Sequence, residues 1–164
     1  MAFVIVESVI TSFAEYQDVL DTDQRIFNEN EGLNDSVIDA LLVRSTGRIL
    51  NQLKSSAWYR KLAFNNGASA VLIPDIDPSK IRTRKSEFTD LCVYHALTNY
   101  ILPKVADFGS DTNSELAKIS FYLEKYNSLF DELTNEGDWY DYDGDATVET
   151  KEKLSMPINY QRVR

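Results

Sequence analysis

The chain has 164 residues, 43% of them hydrophobic and 26% charged, with a formal net charge of −9. Its single cysteine (Cys92) and single histidine (His95) exclude an intrachain disulfide, a cysteine-based zinc site and any site that needs two histidines. No apolar run reaches the roughly 18 residues of a membrane span. Met1–Ile10 lacks a basic segment and meets Glu7 early, so an intracellular chain with a reduced thiol is expected rather than a secreted one.

In chain order, residues 2–6 read as a short strand or buried segment. Ser12 and Glu15 have capping-box spacing, which predicts a short helix over 13–20. Residues 21–34 read as a polar loop. Asp35 is an acceptable N-cap for a helix over 35–55, where Val37, Ile38, Leu41, Leu42, Ile49 and Leu53 recur at helical spacing. Residues 56–64 read as a further turn or short helix, closed by the Asn66-Gly67 turn signal. Val71–Ile73 reads as a brief strand, followed by an irregular stretch to about 83 that contains Pro74 and Pro78.

The next helix is predicted from Arg84–Glu87 to Leu102, stopped by Pro103. Apolar residues surround most of it, the mark of a buried central helix. The longest helix is predicted over 113–135, with Leu116, Ile119, Leu123, Tyr126, Phe130 and Leu133 as its stripe and Gly137 ending it. The fold expected is mainly α: a small helical bundle over 1–137 with one long C-terminal helix. Residues 138–164 then form a hairpin-like linker and an extended arm with little regular structure. The arm is polar, with a few anchors, and suits addition to a partner as an extended strand.

Charge is segregated along the chain. Residues 1–43 carry a net −8, residues 44–85 a net +7 and residues 106–152 a net −10. Opposite patches suit head-to-tail contact between copies, a heterologous geometry that closes into rings. The basic block lacks interleaved aromatics, so pairing with acidic segments, in the same chain or a neighbour, is expected over nucleic-acid binding.

Candidate chemistry is sparse. Asp138–Asp145 invites comparison with an EF-hand calcium loop. With Gly144 at the sixth position, however, Trp139 falls at the first and Thr150 at the twelfth, so both outer ligands fail and a tight turn with solvated Asp is expected. His95 is expected as a hydrogen-bonded core residue and Cys92 as a buried inert thiol. The six glycines are scattered singly, so there is no phosphate-cradling loop. No catalytic residue, cofactor or metal is assigned. Trp139, Tyr140 and Tyr142 suit either a cap folded back on the core or an anchor in a neighbouring subunit.

The run Ile10-Thr-Ser-Phe-Ala-Glu-Tyr16, then Ile38-Asp-Ala-Leu-Leu-Val-Arg-Ser-Thr-Gly-Arg-Ile49, resembles the opening of head–tail connector (adaptor, or head-completion) proteins of tailed bacteriophages. Asp90–Lys104 is similar to their buried central helix and Glu115–Phe130 to their last long helix. Asp138–Asp145 is similar to the linker before their C-terminal arm. The resemblance covers about residues 7–145 and implies a structural virion protein, not an enzyme, made in the host cytoplasm and built into the neck. It implies a ring, typically of twelve copies, beneath the portal protein. The ring extends the DNA channel and offers a platform for the tail or the next neck or tail-terminator protein.

Carried over by position, the portal-binding arm would include Leu154, Met156, Ile158, Tyr160, Arg162, Val163 and Arg164. Subunit contacts are expected from Arg44, Arg48, Arg60, Lys61, Arg82, Arg84 and Lys85, with Trp139, Tyr140 and Tyr142. Whether 66–85 meets DNA, the portal or a neighbour is left open by the sequence, and no membrane partner is expected. Three other readings compete. One is a neck or tail-completion protein docking on the tail side. Another is an acidic inhibitor or DNA mimic, against which the +7 block argues. The last is a carboxylate metalloenzyme, which would need inward-facing acids on paired helices.

Overall fold

The computed structural model describes residues 3–6, 9–24, 32–69, 72–106, 114–150 and 152–153, and the side chains of all of these except 114 and 115. The expected arm anchors Leu154, Met156, Ile158, Tyr160, Arg162, Val163 and Arg164, and Val71 of the expected strand, lie outside the described residues. The fold is mainly α. Its elements are β1 (Val4–Val6), β2 (Val9–Ser12), α1 (Tyr16–Thr22), α2 (Asp35–Ser55), α3 (Ala57–Asn65), α4 (Lys85–Ala96), α5 (Leu102–Val105) and α6 (Ser114–Glu136). A π-turn, Leu97–Ile101, joins α4 to α5, and a 3-10 turn, Pro78–Lys80, precedes α4.

The short strand expected within residues 2–6 is present as β1, but the segment after it departs from its expected form. Ser12 ends β2, which pairs antiparallel with β1, instead of capping a helix. Its hydroxyl donates to Ala14 O (2.6 Å) and accepts from Ala14 N (3.2 Å), a local turn that competes with helix capping. The helix therefore starts later, at Tyr16, with Glu15 as N-cap and Asp18 completing the reciprocal capping box. Likewise α2 is capped by Asn34, whose side chain accepts from Val37 N, so Asp35 sits inside the first turn. Ser56 both ends α2 and caps α3 by accepting from Tyr59 N.

The central helix is as buried as its composition predicts. Phe88, Leu91, Cys92, Val93, Ala96 and Leu97 are essentially solvent-free, and α4 packs on α1, α2 and α6. Burial of each such side chain contributes about 1.5–3 kcal/mol. Pro103 does not stop it. The π-turn immediately before it moves the ladder to i→i−5, with Leu102 N donating to Leu97 O. The proline then falls where the α-ladder is already broken, and the helix runs on to Val105.

On α6 the inward stripe is Ile119, Tyr122, Tyr126, Leu129 and Leu133, spaced three and four apart. Leu123, expected on that stripe, is turned outward and exposed, as is Phe121. Residues 72–77 are irregular rather than a strand. The core also does not end at 137. Trp139 rings with Phe88 and Trp58 at centroid distances of 4.8 and 4.6 Å, and Tyr140 meets Tyr59 edge-on at 5.7 Å. Each such pair adds about 0.5–1.5 kcal/mol beyond area burial. Gly137, with φ +57, makes the turn that delivers them, and a Cβ there would strike the Trp58 indole.

Candidate functional site: a basic edge and an acidic loop

The interior groups that carry chemistry elsewhere are held for packing here. His95 is buried with Nδ1 3.1 Å from Ser45 Oγ. Burial first, and the Arg48 charge second, push its pKa down to about 4, so the ring is neutral. Cys92 lies 3.4 Å from Thr46 Oγ1, and burial raises its thiol to about 11. Both match the expectation of a satisfied core pair. A groove of about 510 Å³ opens between α2 and α6, lined by Arg48, Asn51, Gln52, Tyr126 and Phe130 among others. Burial raises the pKa of its phenol, Tyr126, which contacts Gln52.

The basic block divides in two. Arg44, Arg48, Arg60 and Lys61 are exposed on α2 and α3, and no ion pair among the described residues involves them. Arg44 lies 4.8 Å over the Tyr100 ring. Arg60 and Lys61 flank a recess of about 260 Å³ with Phe64, Ser69 and Ile73. Phe64 and the nearby Leu72 are 66% and 78% exposed, so this edge is basic and apolar at once.

The second half, 80–85, is consumed within the chain. Arg84, at φ +55, pairs with Glu87 (2.9 Å), Glu132 (3.2 Å), Glu136 and Asp138 (2.8 Å). Arg82 Nε lies 2.9 Å from Asp141 Oδ2, and Lys80 Nζ donates to Tyr142 O at 2.7 Å. Lys85 is exposed, with its ammonium 5.6 Å over the Phe3 ring. Arg82 and Arg84, expected as subunit contacts, are each paired with carboxylates of their own chain.

Trp139 and Tyr140 fold back on the core, the first of their two expected roles. They are 0% and 2% exposed, and Trp139 Nε1 donates to Leu133 O at 2.8 Å. Tyr142 is half-buried against Tyr59 and Tyr140. Sequence reasoning missed why this segment folds in: Lys80–Arg82 and Trp139–Asp141 pair as short extended pieces. Arg82 N donates to Trp139 O (2.9 Å) and Asp141 N to Lys80 O (3.0 Å).

That clamp presents the acidic loop. One carboxylate oxygen from each of Asp141, Asp143 and Asp145 lies within 4.8 Å of the other two. Asp141 was expected to be solvated but is wholly buried. Desolvation raises its pKa, but the Arg82 hydrogen bond and the Gly144 and Ala146 N–H groups outweigh it and hold the carboxyl below its ordinary range. Glu152, also wholly buried, accepts from Tyr142 N (2.7 Å) and Asp143 N (3.2 Å) with Oε1 and from Glu149 N (2.9 Å) with Oε2. No family model, no curated protein and no solved structure matches this chain.

Proposed function

We propose that this protein is a head–tail adaptor of a tailed bacteriophage. It would assemble as a ring, of about the portal's own copy number, beneath the portal protein, prolonging the DNA channel and carrying the tail or the next neck protein. Its work in this reading is assembly without bond chemistry.

The observation that carries the reading is the split of the surface. The α3 edge offers Arg60, Lys61, Phe64 and Leu72 exposed, with no ion pair to Arg60 or Lys61 among the described residues. The outer face of α6 offers Phe121 and Leu123 beside Glu124, with Lys125 over the Phe121 ring and Asp131 further along, so its charge is mixed with a small acidic excess. Complementary charge with apolar residues on two different faces of one small chain supports head-to-tail contact. The exposed β1–β2 hairpin, with Ile5, Val6 and Val9 outward, supplies a third apolar contact. Weak contacts suffice on a ring-shaped template, where neighbours are held at high effective concentration.

The portal-docking role falls to the C-terminal segment. Glu152 is buried and bonded to the loop before it, so a clean test removes 154–164 and leaves Glu152 in place. The truncated chain is expected to keep its helical circular dichroism and thermal midpoint and to stop co-sedimenting with the portal ring. Undiminished co-sedimentation would overturn the arm's role.

A further inference from the structure

We propose that Asp141–Glu152 is a calcium-binding loop of the EF-hand type. This inference stands independently of the adaptor reading. An EF-hand loop takes its ligands from positions 1, 3, 5, 7, 9 and 12 of twelve residues, with a carboxylate at 12 and a left-handed residue at 6. Counted from Asp141, positions 1, 3 and 5 are Asp141, Asp143 and Asp145, position 7 is Thr147, position 9 is Glu149 and position 12 is Glu152. Anchoring on Gly144 as the sixth residue places the register two residues out. The sixth residue is Ala146, and it adopts φ +73, the conformation for which that position ordinarily holds glycine.

Two independent observations point to a cation. The first is the donor set at those spacings, whose three Asp carboxylates converge within 4.8 Å. The second is Glu152, seven residues beyond Asp145 and outside that cluster. Its carboxylate is wholly buried, held by backbone N–H groups, and no ion pair among the described residues includes it. The N–H groups offset part of the cost of burying this carboxylate, and a divalent ion at the twelfth position would supply the opposite charge that they do not. The all-oxygen donor set excludes a soft transition metal. A flexible loop of many carboxylates and carbonyls suits Ca²⁺ over Mg²⁺, which demands near-ideal octahedral geometry and keeps its waters. The Lys80–Arg82 clamp fixes one end of the loop on the core, so binding orders few residues.

The test is calorimetric titration of the chelator-treated full chain with CaCl₂ and, separately, MgCl₂, with Tb³⁺ luminescence sensitised by Tyr142 as a second readout. The expected result is one Ca²⁺ per chain with Kd of about 10⁻⁵–10⁻³ M, the weak end for such loops, and Mg²⁺ at least about tenfold weaker. Asp143→Ala/Asp145→Ala, both exposed and outside the core, should weaken Ca²⁺ about 100-fold with unchanged helical circular dichroism. Glu152→Gln, which keeps an acceptor for the loop N–H groups, should weaken it about 10–100-fold. Absence of saturable Ca²⁺ binding up to about 10 mM, well above that range, would overturn the proposal. So would equal affinity for Mg²⁺, or binding unaltered in Asp143→Ala/Asp145→Ala.

Discussion

The two halves of the basic block carry the same charge in sequence and do opposite things in space. Lys80, Arg82 and Arg84 meet main-chain and carboxylate partners on α6 and the segment after it, and they hold residues 138–142 against the core. Arg44, Arg48, Arg60 and Lys61 stand exposed on α2 and α3 and enter no ion pair among the described residues; Arg44 lies over the Tyr100 ring, and Lys54 between them pairs with Asp75. A local charge sum cannot separate internal mortar from a surface kept for partners; pairing across 48 to 59 residues does. The difference also reassigns the aromatic cluster. Once Arg82 and Arg84 draw the segment in, Trp139 and Tyr140 complete the core around Trp58, Tyr59 and Phe88.

The contrast is broken most severely at Arg84. Arg84→Ala leaves Glu87, Glu132, Glu136 and Asp138 facing one another without their shared cation. Those carboxylates are a third to a half exposed, so the loss should sit below the range for a fully buried pair, at about 2–3 kcal/mol in urea unfolding. Gly137→Ala comes next, at about 2 kcal/mol, because it adds a left-handed alanine and displaces the Trp58 indole. Trp fluorescence should shift in the same variant as the indole pair of Trp58 and Trp139 separates.

A pH effect of similar size comes from His95, whose pKa is lowered first by burial and second by the Arg48 charge. His95 titrates near 6.5 when unfolded and at about 4 when folded. The folded state therefore binds fewer protons in that window, and the contribution is fully present above pH 6.5 and is lost as pH falls towards 4. It should amount to about 2 kcal/mol, and His95→Gln should flatten the profile between those values. The smallest effect on stability, within about 0.5 kcal/mol, is expected for Arg60→Glu/Lys61→Glu, since both side chains are exposed and neither enters an ion pair among the described residues. The same variant should lower self-association on the portal at moderate salt, which sets it apart from Arg84→Ala.

Much of the helical frame was legible in the sequence. The spacing of Ile38, Leu42, Ile49 and Leu53 on α2 and the all-round apolar character of α4 are local patterns, and both elements stand where those patterns put them. The N-terminal hairpin was not legible, because three strand residues and a Ser hydroxyl that bonds its own turn resemble a helix start. The run through Pro103 was hidden because proline stops a regular helix, and nothing local announces a π-turn.

The register of the acidic loop is masked in the sequence for a physical reason. Glycine is the usual marker of the left-handed sixth position, and here an alanine holds it while a glycine stands two residues earlier. The burial of Asp141 and Glu152 depends on the Lys80–Arg82 clamp, a contact between segments about 60 residues apart that no local pattern encodes.

The most direct test of the central claim is the native mass of the full-length chain, alone and mixed with the portal ring. The expected result is a protein that is monomeric by itself and joins the portal in the portal's own copy number, with Arg60→Glu/Lys61→Glu filling the ring incompletely. A chain that leaves the portal mass unchanged under conditions where both proteins are folded would contradict it.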